Sequence, residues 1–296
     1  SMMFIDQTIV SIAIPTIQTE LGLSDAGVQW VINGYLLSLS AFFALGGRLS
    51  DILGHKRRVL LGVTRFAVSS ALCGVTPASS AAEAWLIIFR IVQGIGAALL
   101  FPAALAIVVS VFPLKERGKA LALFFGITGG LTAIGPILGG YLSEWTWRAI
   151  FWVNVPVAII AIILTLIAKI HTKHKKEPLD YKGAVLIALG MGFSVLGLQQ
   201  ASSWGWGSWK TIGSIVLGLA LLVIFVKVET KVKIPLIKVE IFKDRAFFVD
   251  NAVLFFAMMA FVPVFFFGSV YSQAVLDYNA SNAGLYLLVF FAGFAP

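Results

Sequence analysis

Two charged side chains lie inside long apolar runs, and they are the groups in this chain best suited to do chemistry. Asp6 falls in the run 3–21, within Asp6-Gln7-Thr8-Ile9-Val10. A carboxylate in a hydrocarbon-embedded helix is costly while charged and unpartnered, which makes it a candidate for binding and releasing a proton. Arg90 falls in the run 84–111. A guanidinium there must face a polar cavity, find a partner, or snorkel to the nearer interface. At about 1.5 Å of rise per residue, Asp6 stands ~22 Å from Leu21 at the end of its run, and Arg90 only ~9 Å from Ala84. The two are therefore expected at different depths, as separate stations rather than as a pair. Arg65, inside a third run, reads as a snorkelling residue. Other chemistries are disfavoured. Cys73 is the single cysteine, which excludes an intrachain disulfide and a cysteine metal cluster. His171 and His174 sit in a basic loop without further ligands, so no metal site is expected. The chain carries no Walker-type phosphate loop, which argues against direct use of ATP.

The elements that must position these residues follow from composition. Of 296 residues, 59% are apolar and only 12% charged, with a mean hydropathy of +0.95. A soluble domain of this size cannot hide so much apolar surface, so the class is an all-α polytopic membrane protein. Runs near the ~20 residues that a spanning helix needs occur at 3–21, 28–45, 59–75, 84–111, 120–142, 150–168, 183–198, 211–226 and 247–270. A tenth begins after the polar turn 272–283 and stops at Pro296, so about nine and a half membrane helices are expected and the chain reads as truncated at both ends. The charged stretch 227–245 carries Ile234, Leu236, Ile237, Ile241 and Phe242, and is expected to lie along the cytoplasmic interface as a partly amphipathic segment.

Charge placement sets the sidedness. All of the 22 Lys and Arg except Arg65, Arg90, Arg148 and Lys210 fall in segments on one side, which marks that side as cytoplasmic. The tryptophans, favoured at the headgroup region, cluster toward the other ends of the helices. The net charge of +8 is thus spread over short loops between apolar runs, a pattern for a bilayer rather than for nucleic acid.

The stretch Gly47-Arg48-Leu49-Ser50-Asp51-Ile52-Leu53-Gly54-His55-Lys56-Arg57-Arg58 fits G-x-L-x-D-x-x-G-x-[KR]-[KR] and reads as a short, glycine-hinged hairpin loop, with Asp51 able to cap the next helix or pair with an arginine. Arg90-Ile91-Val92-Gln93-Gly94-Ile95-Gly96-Ala97-Ala98 follows, and Gly94, Ala98 and Pro102 recur every four residues as one smooth packing face. Gly126, Gly130, Gly135, Pro136, Gly139 and Gly140 mark the run 120–142 as a close-packing helix that Gly135-Pro136 can bend.

These motifs resemble the major facilitator superfamily: its loop between helices two and three, its helix-four motif, and the G-P-x-x-G-G motif of its exporters. Ile52 and His55 depart from the pattern, standing where the family usually has basic residues. Asp6-x-Thr8-Ile9-Val10 with Ala13-x-Pro15, and Trp147-Arg148 with Phe151, Asn154 and Pro156, are similar to the fourteen-helix drug:proton antiporter subgroup. The resemblance implies a six-helix bundle over 1–170, two linker helices with an interfacial segment over 171–245, and the start of a second bundle from 246 to 296. It further implies a monomeric secondary transporter of the cytoplasmic membrane, not an enzyme, that needs no cofactor and uses a proton gradient to export lipophilic or cationic small molecules. Asp6 and Arg90 would couple protons, Gly47, Arg48, Asp51, Gly54, Arg57 and Arg117 would form a cytoplasmic latch, and the glycines of helix five would seal the cavity. A transporter of one defined metabolite, or a membrane scaffold or sensor without transport, are the other readings the residues allow.

Overall fold

A computed structural model describes residues 2–168, 178–276 and 278. The basic loop with His171 and His174 and the tenth apolar run lie outside the described residues. Those described form helices and short connections, with no strand among them. The long helices are α1 (Met2–Leu21), α2 (Asp25–Leu53), α3 (His55–Gly74), α4 (Ala82–Val111) and α5 (Arg117–Trp145). A short α6 (Ala149–Trp152) continues into α7 (Asn154–Ile167). Then come α8 (Tyr181–Gln199), the short α9 (Ala201–Trp204), α10 (Trp209–Glu229), a 3-10 turn at Val239–Lys243, and α11 (Arg245–Ala274). The break at Val153 precedes Pro156, whose missing N–H cannot bond the carbonyl of Trp152.

Five stretches are long and apolar enough to cross a bilayer by length and composition: Asp25–Leu53, Ala82–Val111, Ala149–Ile167, Tyr181–Gln199 and Trp209–Glu229. The sequence counts α1 and α3 as spans as well, and both reach 20 residues. Their polar content holds them below the others: Asp6, Gln7, Gln18 and Glu20 in α1, and Lys56, Arg57, Arg58 and Arg65 in α3. Arg65 is exposed on the flank of α3.

The expected loop over 47–58 is a correction. The chain stays helical through it except at Gly54, because α2 runs 29 residues, beyond what a bilayer needs, and carries the charged motif on its extension. Gly54 makes the whole turn, with φ +88°, a conformation open to glycine and strained for other residues. Asp51 sits in the last turn of α2 and does not cap α3, whose first turn has no side-chain cap. Ser50 Oγ instead closes the turn on His55 Nδ1 at 2.6 Å. Lys56 donates to the carbonyls of Leu166 and Ala168, fastening the start of α3 to the end of α7.

Packing is tightest where small residues allow backbones to meet, the means by which membrane helices gain dispersion contacts without a hydrophobic drive. The stripe Gly94, Ala98 and Pro102 of α4 lies against α2: a Cβ on Gly94 would meet Ser38 and the Tyr35 carbonyl, the Ala98 carbonyl abuts Gly46, and Pro102 faces Gly47. One apolar cluster gathers Ile9, Ile17, Leu86, Trp147 and Phe151. A second gathers Met3, Tyr35, Val63, Phe66 and Ala97. Trp147 anchors the first through its Nε1–H to Glu20 at 2.7 Å. The helices α8 and α10 pair with each other, and α8 also rests on α2. In the segment after α10, Leu236 is buried against the helix pair, while Ile241 and Phe242 stay exposed.

Candidate functional site

Between the two apolar clusters lies a polar network contributed by five helices. Arg90 and Gln93 are three residues apart and so share one face of α4. Arg90 Nη1 donates to Asp6 Oδ2 at 2.6 Å, forming a buried ion pair, and to Gln93 Oε1 at 2.8 Å. Arg90 Nε–H bonds the Val31 carbonyl at 3.1 Å. The guanidinium also stacks 4.3 Å from the centroid of Tyr35. The other carboxylate oxygen, Asp6 Oδ1, accepts from Gln93 Nε2 at 2.9 Å and from Asn154 Nδ2 at 2.7 Å. Asn154, the first residue of α7, also donates to Ser70 Oγ at 3.0 Å, and Ser70 donates to the Phe151 carbonyl at 2.8 Å.

Every member is closed off from its surroundings: Asp6, Gln93 and Ser70 are 0% exposed, Arg90 1% and Asn154 2%. The pair sums to zero charge, and each oxygen of the carboxylate has a donor. A buried ion pair holds its place only when its remaining hydrogen-bonding capacity is met, as it is here.

The pairing corrects the expectation of separate stations. Depths counted from helix ends assume that the ends share a plane, and they do not. Gln18 Nε2 bonds Asp25 Oδ1 at 2.9 Å, and the amide N–H of Ser24 beside it bonds Glu83 Oε2 at 2.9 Å, so the start of α4 is level with Gln18 rather than Leu21. That removes ~4.5 Å of the apparent gap at about 1.5 Å per residue, and the long arginine side chain reaches across the rest. The sequence motifs contained Gln93 and Asn154 without marking them as partners of Asp6. Tyr35, Ser70 and Val31 carried no signal beyond being ordinary residues on helix faces.

The other expected site residues are distributed as follows. Gly47 and Gly54 serve packing and the turn. Arg48 is half-buried near the end of α2. Asp51 and Arg57 are exposed, and among the described residues neither pairs with the other or with Arg117. Arg117 donates from Nε to the Phe112 carbonyl at the start of α5. On α5, Gly135 and Gly139 meet α1, since a Cβ on the first would strike Thr8 and on the second would lie 3.2 Å from Ile9 Cα. Gly126 and Gly130, expected to pack, have open space at their Cβ positions. Gly140 is half-buried, and the side chain of Pro136 lies outside the described residues. No group of three metal-ligating side chains occurs among the described residues.

The family model of the Major Facilitator Superfamily matches residues 1–296. The chain belongs to this superfamily. Its relatives include the MFS-type transporter EfpA of Mycobacterium tuberculosis, 38% identical over 290 residues, covering 96% of this chain and 53% of that protein. The tetracenomycin C resistance and export protein of Streptomyces glaucescens is 34% identical, covering 97% and 53%. Multidrug resistance protein 3 of Bacillus subtilis is 31% identical, covering 97% and 56%. The chain thus spans about half the length of the curated relatives it matches. It is a multi-pass helical membrane protein of a transporter family, not an enzyme.

Proposed function

We propose that the full-length protein is a proton-coupled exporter of amphipathic or cationic small molecules in the cytoplasmic membrane, working by alternating access as a monomer without a cofactor. The observation that carries this reading is the Asp6–Arg90 ion pair, sealed among five helices with Gln93 and Asn154 as further side-chain hydrogen-bond partners. The relatives named for resistance and export support outward transport of small molecules.

While Asp6 is ionised, it ties α1 to α4 through Arg90 and Gln93, and to α7 through Asn154. A proton on Asp6 cancels the charge that Arg90 faces. Arg90 is then left with the Gln93 oxygen, the Val31 carbonyl and the Tyr35 ring, and an uncompensated buried charge costs on the order of 3–5 kcal/mol. Protonation therefore favours arrangements in which α1 and α4 separate and Arg90 finds water or a new acceptor. Such a difference in affinity for the proton between two arrangements is what biases a rocking equilibrium.

The test uses purified full-length protein in sealed vesicles with an imposed pH difference and a fluorescent lipophilic cation as cargo. Transport that follows the gradient and stops on its collapse is expected. Equal transport after collapse, with no other ion gradient present, overturns proton coupling.

A further inference from the structure

A second carboxyl pair lies away from this site. Asp180 caps α8, its Oδ1 accepting the Gly183 amide N–H at 3.0 Å. Glu229 ends α10, is 3% exposed, and accepts the Ile237 amide N–H on Oε2 at 3.0 Å. The remaining oxygen of each, Asp180 Oδ2 and Glu229 Oε1, is buried without a donor. Both oxygens crowd the point that a Cβ on Gly183 would occupy, so the absence of a side chain there makes the space they share.

The immediate surroundings are apolar. Leu179, Ala184, Ile187, Phe225, Leu236 and Ile237 form the local apolar cluster. The cations on the packed elements are Arg48, one turn beyond Ala44 on α2, Lys182 on α8, Lys227 on α10, and Lys231, Lys233 and Lys238 in the following segment. Those five lysines are exposed, and among the described residues none forms an ion pair with either carboxyl. Two like charges crowded together in an apolar cluster are costly, which disfavours ionising both. A hard cation wants six or more oxygens, and no third acidic side chain gathers here among the described residues. One proton suits the geometry, because it turns one oxygen into a donor and satisfies both.

We propose that Asp180 and Glu229 share a single proton, forming a second proton-binding site at the junction of α8, α10 and the segment after α10. The proton holds the start of α8 against the end of α10, and the Ile237 amide draws the following segment into the same knot. Loss of the proton sets two carboxylates against each other and loosens that junction. The site is independent of Asp6.

The test is an infrared titration of the full-length protein in nanodiscs, following the stretch of protonated carboxyl C=O groups. The wild type is expected to keep such a band at a pH where exposed carboxyls are ionised. Glu229→Gln is expected to lose the band and Asp6→Asn to retain it. Asp180→Asn, which preserves the helix cap, is expected to lose it too and serves if the glutamine variant fails to fold. No such band in the wild type, a band unchanged in both dyad variants, a band lost with Asp6→Asn, or saturable displacement by magnesium or calcium would each overturn the proposal.

Discussion

Asn154 bonds Asp6 at 2.7 Å across 148 residues of sequence, joining the first residue of α7 to the buried aspartate of α1. The amide has two N–H groups and both are used, the second on Ser70 of α3. Helices α1, α4 and α7 thereby meet at one carboxylate oxygen, which also accepts from Gln93, and α3 is joined to it through the Asn154 amide.

Replacing Asn154 with Ala should leave Asp6 Oδ1 with Gln93 alone and Ser70 without its donor. Losing a buried hydrogen-bond partner costs about 1–3 kcal/mol. Thermal denaturation in nanodiscs should register a lower midpoint, and the pH at which gradient-driven export is half-maximal should shift. A variant with unchanged stability and unchanged pH profile would remove Asn154 from the network's energetics.

Asp6→Asn should abolish proton-driven export while the protein still inserts, because the amide keeps an acceptor for Arg90 but cannot exchange a proton. Arg90→Ala should do likewise. Arg90→Lys keeps a cation near Asp6 but loses the planar fork that also reaches Val31 and stacks on Tyr35, so part of the activity should survive. Vesicle transport with and without a pH difference reads all three, and wild-type export from Asp6→Asn would exclude its carboxyl from coupling.

The helices could be read from the sequence because a bilayer imposes run length, and the packing stripe Gly94, Ala98 and Pro102 because close approach demands small residues at a fixed period. The ion pair could not. Its two members lie on helices whose ends stand at different heights, and the Gln18–Asp25 and Ser24–Glu83 contacts together reveal the offset. The stretch 47–58 misled for a related reason: its glycines and charges suggest a loop, but a helix can carry charge freely once it emerges from hydrocarbon. Gln93 did carry a usable signal, an amide one turn from a buried arginine in an otherwise apolar run.

Glycines of similar appearance should respond in opposite ways to one added methyl group. A Cβ at Gly94 would overlap Ser38 and the Tyr35 carbonyl, so Gly94→Ala should force α4 off α2 and lower the denaturation midpoint sharply. At Gly126 the space is open, and alanine is favoured over glycine in a helix by up to about 1 kcal/mol. Gly126→Ala should leave the midpoint unchanged or raised. Equal losses in both variants would contradict the α2–α4 contact.

At Gly54 the side chain must stay absent for a backbone reason. A left-handed conformation costs an ordinary residue roughly 1–2 kcal/mol, so Gly54→Ala should destabilise by about that amount in the same assay. A neutral result would mean that the turn is not held at positive φ.

That one-residue turn governs how the cytoplasmic end can travel. With a single pivot and no slack between them, α2 and α3 cannot slide past each other like pistons. Any displacement there must carry the two as one rigid lever, and Lys56, clasping the end of α7, makes that helix its passenger.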